Sequence, residues 1–238
     1  MTAEGIGIKL CRCTICLFVG SQPFQEKSQQ MFEFLKQFRR NRPMRIVVNG
    51  HPALRERSAP VGEITEDVRQ FAAELTRSLR ESEVAGVGLA APQVGVNLRM
   101  IVIDTAPRGG GAPRPEISAG ELLLEPRMPL VMLNPEIISA GAECDTVSEG
   151  CLSLPGVNGH VTRPTRVTLH TRLLDGEEIT VECGGLLARC LQHEIDHLDG
   201  RLFYDRLSPA EQKAAAETMK TLAKREASLA RTAAGKRR

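Results

Sequence analysis

No stretch of about 18 apolar residues occurs in this chain of 238 residues, so no membrane-spanning helix is expected. The seven cysteines are odd in number and unevenly spaced, which gives no disulfide framework and fits a reducing, cytoplasmic setting. Cys144 and Cys183 read as small core or strand residues. Cys13 and Cys16 make one C-x-x-C with Cys11 nearby, but no second pair follows, so a zinc ribbon is disfavoured. The apolar run from Leu10 to Val19 is broken by Arg12 and lacks a small-residue cleavage site, which argues against a secretory signal. An organellar transit peptide would be rich in Arg and Ser and poor in acids, a poor match to this segment.

Charge and aromatic content are unevenly distributed. Residues 1–43 carry seven basic against three acidic side chains and five of the seven phenylalanines (Phe18, Phe24, Phe32, Phe34, Phe38). That shift marks a boundary at Pro43. The first segment is an N-terminal extension for which three readings compete: an accessory element, a targeting segment, or a stretch upstream of a true start at Met44, the last being favoured. Residues 44–208 form the main domain, a length suited to one sizeable core. From Pro209 to the end, eight basic residues face three acidic ones, which leaves 44–208 with an acidic excess of seven. Ser208-Pro209-Ala210-Glu211 is a capping box with Pro at the first helical position, so 209–238 reads as a helix with a basic tail and a modest apolar stripe of Met219, Leu222 and Leu229. A basic tail on an acidic body suggests an acidic partner.

The strongest chemical signal is His193-Glu194-Ile195-Asp196-His197, an H-E-x-x-H. On a helix, residues four apart share a face, so both imidazoles can reach one metal ion while Glu194 touches water beside it. Gly184-Gly185 before the stretch, the spacing of Leu186, Leu187, Cys190 and Leu191, and Gly200 as a stop support a helix. The bland alternative is an amphipathic helix with two surface histidines. A catalytic metal usually takes three protein ligands. The pattern that supplies a third His further on fails here, because Phe203 stands at that position. Glu211 and Glu217 are available but fall in a charged, surface-like helix. The better candidate is Cys151 in Glu149-Gly150-Cys151-Leu152-Ser153-Leu154-Pro155, which reads as a short half-buried edge strand ended by the proline.

Gly86-Val87-Gly88-Leu89-Ala90-Ala91-Pro92-Gln93 superficially looks like a dinucleotide-binding loop. A Rossmann loop follows a strand and opens a helix. This one follows an amphipathic helix (Val68, Phe71, Ala72, Leu75, Leu79) and leads into a strand, Leu98 to Ile103. It is better read as a glycine turn, either tightly packed or open to an extended substrate.

Together, G-V-G-L-A-A-P-Q, E-G-C-L-S and Q-H-E-I-D-H, in this order, resemble the three signature motifs of the peptide deformylases, and the similarity runs from about Met44 to the C-terminal helix. Arg45 to Arg55 resembles that family's opening strand and turn. The resemblance implies removal of the formyl group from N-formyl-methionyl peptides, with release of formate. It implies that Cys151, His193 and His197 hold one divalent metal, Fe²⁺ foremost, with Zn²⁺, Ni²⁺ or Co²⁺ possible on the same donors. It implies Glu194 as general acid/base, and the Gln93 amide and Leu152 N–H as donors to the formyl oxygen. Backbone groups of Val87, Gly88 and Gly150 would pair with the substrate as an added strand, and Leu186, Cys190 and Val87 would line a methionine pocket. The basic C-terminal helix would contact the ribosome.

The expected fold is α+β: short antiparallel sheets around a central H-E-x-x-H helix, with a C-terminal helix. Val131 to Leu133, Val167 to Leu169 and Ile179 to Val181 read as strands. Thr105 to Met128, with Gly109-Gly110-Gly111 and Pro107, Pro113 and Pro115, reads as a flexible loop. His51, His160 and His170 are read as structural. An endopeptidase built on the same helix, and a non-catalytic ribosome-associated relative, are the alternative functions.

Overall fold

The computed structural model describes residues 43–107 and 116–235. The N-terminal extension, its C-x-x-C, the triple glycine of the 105–128 segment and Lys236–Arg238 lie outside them.

Among the described residues, seven strands and four α-helices are built from a few sequence devices. Helix α1 (Glu66–Arg80) starts where the Thr65 hydroxyl accepts the Val68 N–H at 3.4 Å. It buries Val68, Phe71, Ala72, Leu75 and Leu79, the face expected from their spacing. Burying each large apolar side chain contributes about 1.5–3 kcal/mol. Strands β1 (Gly88–Ala90), β2 (Met100–Ile103), β3 (Leu130–Ala140), β6 (Val167–Leu173) and β7 (Glu178–Cys183) form an antiparallel sheet in the order β1-β2-β3-β6-β7. Strand β2 shows how the sheet is covered. Alternate side chains point to opposite faces, so Met100 and Val102 join the cluster under α1, while Ile101 and Ile103 join the cluster under α3 (Gly185–Leu198). A strand buried on both faces reads as an unbroken apolar run, Met-Ile-Val-Ile.

Strands β4 (Cys144–Gly150) and β5 (Asn158–Pro164) make a separate two-stranded ribbon. A third apolar cluster, including Val47, Leu154, Val161, Phe203, Met219 and Leu222, ties this ribbon to the C-terminal helix α4 (Pro209–Gly235). The capping box at α4 forms as expected: Ser208 Oγ accepts the Glu211 N–H at 3.3 Å and donates to Glu211 Oε2 at 2.7 Å. Met219 and Leu222 are buried, but Leu229 is 42% exposed, so the apolar stripe ends before it. Cys183 is buried at the end of β7, whereas Cys144 is exposed at the start of β4.

Four expectations need correction. Leu152 to Leu154 is not a strand: β4 stops at Gly150, and the Leu154 N–H turns back to the Cys151 carbonyl at 2.9 Å. Only part of Thr105 to Met128 is loop. Ser118 caps a short helix, α2 (Ala119–Leu124), Glu121 completes the capping box, and Leu124 is fully buried. Arg45 to Val48 is not a strand, because it makes isolated rather than laddered bonds; the Val47 and Asn49 N–H groups donate to the Gln93 and Ser153 carbonyls at 2.8 and 3.0 Å. The Gly86 to Gln93 stretch is less a turn than a short strand, β1, followed by a 3₁₀ turn at Ala91–Val94.

Candidate active site

Helix α3 passes under β1 and β2 and presents its histidines to the turn after β4. It stops after Leu198, and Gly200 follows at φ +73°, where a Cβ would lie 2.7 Å from the Arg55 carbonyl oxygen. Only glycine fits that exit. Cys151, one residue beyond β4, meets the helix there. The Cys151 Sγ lies 3.2 Å from His197 Nε2, and one donor atom each from Cys151, His193 and His197 all fall within 4.8 Å of one another. The sequence places these three side chains more than 40 positions apart at the extremes, and the fold brings them to one point.

The surroundings of the two histidines differ. Burial holds the His197 imidazole neutral, its pKa well below the ordinary value, which leaves a lone pair for a cation. Burial also disfavours a charge on His193, but the Cys151 sulfur and the Glu149 carboxylate outweigh it and push its pKa up to about 10 in the absence of a cation. His193 Nδ1 lies 3.0 Å from Glu149 Oε2, the arrangement that fixes a metal-ligating ring through its other nitrogen. This donor set fits a divalent cation: a thiol and two imidazoles converge, and one imidazole is oriented from behind by a carboxylate.

Glu149 is itself held. Arg163, 1% exposed, donates to both of its oxygens at 2.7 and 2.9 Å, and Arg189 Nη1 donates to Oε1 at 2.7 Å. Against the cost of burial, the bonds from His193 and then Arg163 keep Glu149 well below the usual carboxylate range. Arg163 also donates to Asp196 on α3 at 2.8 Å, and Arg206 donates to Asp196 through two nitrogens at 2.7 and 2.5 Å. No local pattern in the sequence marks Arg163, Arg189 or Arg206 for this cluster, because β5, α3 and the segment before α4 meet only in three dimensions. The E-G-C-L-S motif contains Glu149, and its place two residues before Cys151 is the one available hint.

Glu194 lies on the same helix with no such support. Its Oε2 is buried without a hydrogen-bond partner among the described residues, and burial raises its pKa to about 7 against the opposing pull of His193 and Arg163. Gly88 packs directly on it: a Cβ at Gly88 would come within 2.6 Å of Glu194 Oε1 and 2.7 Å of the Cys190 Sγ. That contact explains the second glycine of the G-V-G stretch.

Gln93 is buried and oriented. Its Oε1 accepts the Ala90 N–H at 2.8 Å, so its amide nitrogen faces the site, 3.4 Å from the Cys151 Sγ and 3.3 Å from the Ser153 Oγ. Ser153, the last residue of the E-G-C-L-S motif, is fully buried and is a neighbour of the site to which the sequence reading gave no role. The Leu152 N–H has no partner among the described residues. Val87 needs a correction. Its carbonyl accepts the Asp104 N–H at 2.8 Å and faces the Cys190 thiol at 3.4 Å, so it is committed within the protein. Antiparallel strands alternate the direction of their backbone groups, so Gly88, next to Val87, turns its own N–H and C=O away from β2. Of the three residues expected to line an apolar pocket, Cys190 is buried but Val87 and Leu186 are 40% and 53% exposed, because both lie where no other element covers them.

Among the described residues, no helix is long and apolar enough to cross a membrane. A family model described as polypeptide deformylase matches residues 43–213. The chain is 42% identical over 165 residues to peptide deformylase 2 of Gloeobacter violaceus, covering 69% of this chain and 79% of that one. The fold matches a crystal structure of a peptide deformylase from Legionella pneumophila at 32% identity and a TM-score of 0.63, over 78% of this chain and 98% of that one. It also matches the crystal structure of the Thermotoga maritima peptide deformylase at 34% identity and a TM-score of 0.58, over 71% and 100% of the two chains. The chain therefore belongs to the polypeptide deformylase family, hydrolases that remove the formyl group from the N terminus of newly made proteins.

Proposed function

We propose that Cys151, His193 and His197 hold one divalent cation, Fe²⁺, and that Glu194 is the acid and base of deformylation. The observation that carries this reading is the convergence of the three donor atoms beside a buried carboxylate with a free oxygen. When bound, the cation supplies a Lewis acid and lowers the pKa of water from about 15.7 toward about 7.

The protein's own groups do the rest. Glu194 takes a proton from the attacking water at its unpartnered Oε2. The water oxygen bonds to the formyl carbon, and negative charge grows on the formyl oxygen. The Gln93 amide, aimed by its bond to Ala90, and the free Leu152 N–H donate to that oxygen. Glu194 then gives its proton to the amine nitrogen, the C–N bond breaks, and formate leaves. The peptide lies extended between β1 and β4, bonded to Gly88 and Gly150 and to the remaining N–H of Val87, in the manner of an added strand. Its methionine side chain rests against Cys190, Val87 and Leu186. A cytoplasmic setting suits a site that uses Cys151 outside any disulfide.

The basic C-terminal segment is proposed to reach ribosomal phosphates, since residues 209–238 carry eight basic against three acidic side chains. Removing residues 229–238 should weaken ribosome co-sedimentation at low salt; unchanged binding would rule out this role.

The test of the activity is formate release from formyl-Met-Ala by anaerobically purified protein, with metal content measured on the same sample. Turnover that tracks bound iron supports the reading. No turnover at full occupancy would overturn it.

A further inference from the structure

The ribbon has an open edge that continues from the substrate site. Strand β4 pairs only with β5, in an unbroken register from Cys144↔Pro164 to Gly150↔Asn158. Three observations show which of its backbone groups face outward. Pro164 has no N–H to donate, and its carbonyl accepts from Gln192 at 3.0 Å, so Cys144↔Pro164 is not a hydrogen-bonded pair. The pairs alternate from there, so Asp145, Val147 and Glu149 bond to β5, while Thr146, Ser148 and Gly150 turn their N–H and C=O groups away from it. His160, opposite Ser148, obeys the same rule: its N–H leaves the ribbon and donates to Glu211 Oε1 at 2.9 Å. The outward groups of Thr146, Ser148 and Gly150 have no backbone partner among the described residues. Both Thr146 and Ser148 are exposed, so nothing among the described residues covers this edge.

We infer that this edge binds the substrate's chain beyond its first two residues, so that the enzyme holds an extended N-terminal segment of about six residues, the part after the second by backbone hydrogen bonds alone. The inference rests on the reading that Gly150 pairs with the peptide. Strand β1 spans three residues and β4 seven, so a peptide starting at the Cys151 turn outruns β1 and continues along β4 only. Its direction is antiparallel to β4. With the formyl group opposite Leu152, the second residue falls opposite Gly150, the fourth opposite Ser148 and the sixth opposite Thr146. Recognition through backbone groups tolerates any side chain that an extended strand tolerates, which suits an enzyme facing many N-terminal sequences.

The test is an N-methyl scan of formyl-Met-Ala-Ala-Ala-Ala-Ala with the metal-loaded enzyme, reading kcat/KM. N-methylation removes one donor and crowds the strand edge. A loss of about 3- to 10-fold is expected at residue four, with a change under about 2-fold at residue five, whose N–H points away from β4 beyond the end of β1. Residue two serves as the internal control. A loss at residue two with none at residue four would overturn the extension and leave the Gly150 pairing intact. No loss at either would overturn the pairing itself. Equal losses at residues four and five would overturn the strand register.

Discussion

Two carboxylates flank His193, and they are built in opposite ways. Glu149 takes four hydrogen bonds from Arg163, Arg189 and His193, and stays ionised despite its burial. Glu194 is as deeply buried, has a free oxygen, and titrates near 7. A carboxylate saturated with donors is a poor proton acceptor and a good orienting group. One left short of donors, with its pKa brought near neutrality by desolvation, is suited to taking and returning a proton. The protein places an orienting carboxylate and a reacting one near the same histidine, and the donors that reach each of them decide which is which.

The largest effect should come from the reacting member. Glu194→Gln is isosteric and should lower kcat on the order of 10²–10⁴-fold with bound metal unchanged, as measured by formate release and elemental analysis. Next is the donor facing the formyl oxygen: Gln93→Leu should cost about 10²–10³ in kcat. A loss confined to KM would remove Gln93 from the charge-stabilising role. The orienting member should show a smaller effect, of a different kind. Glu149→Gln should weaken metal binding about 10- to 100-fold in chelator competition. Arg163→Met should strip two donors from the buried Glu149 and one from Asp196 and destabilise folding by about 3–5 kcal/mol, read by denaturant unfolding.

The smallest effect lies at the surface, where a third carboxylate is also well supplied with donors. The His160 backbone N–H first, and then the Ser208 hydroxyl, hold Glu211 down to about 2, against 4.5 ordinarily. A depressed acid contributes stability that is complete above about 4.5 and is lost as pH falls toward about 2. The melting temperature of Glu211→Gln should therefore lie slightly below that of the parent at pH 6, and the gap should narrow as pH falls below about 4.5 and close near pH 2. A gap independent of pH would show that the charge is not what matters there.

The reacting half of this arrangement was legible in the sequence, and the orienting half was not. His193, Glu194 and His197 follow one helical period, so their common face can be read from spacing alone. The α1 face and the α4 cap were equally local and formed as expected. Cys151 emerged from its unusual context between Gly150 and two leucines, although the segment around it proved to be a turn and not a strand. Arg163, Arg189 and Arg206 sit on separate elements, and nothing in their neighbourhoods distinguishes them from surface arginines. Their roles depend on β5, α3 and the approach to α4 meeting in space. The same holds for the second half of the 105–128 segment, where Gly and Pro nearby obscured the Ser118–Glu121 capping box.

The most direct test of the division of labour is to prepare Glu194→Gln and Glu149→Gln side by side and measure formate released per bound metal ion. The account predicts that Glu194→Gln binds metal fully and turns over almost nothing per ion, while Glu149→Gln binds metal weakly yet keeps most of its turnover per ion. If Glu149→Gln loses turnover per ion as completely as Glu194→Gln, the distinction between an orienting and a reacting carboxylate is wrong.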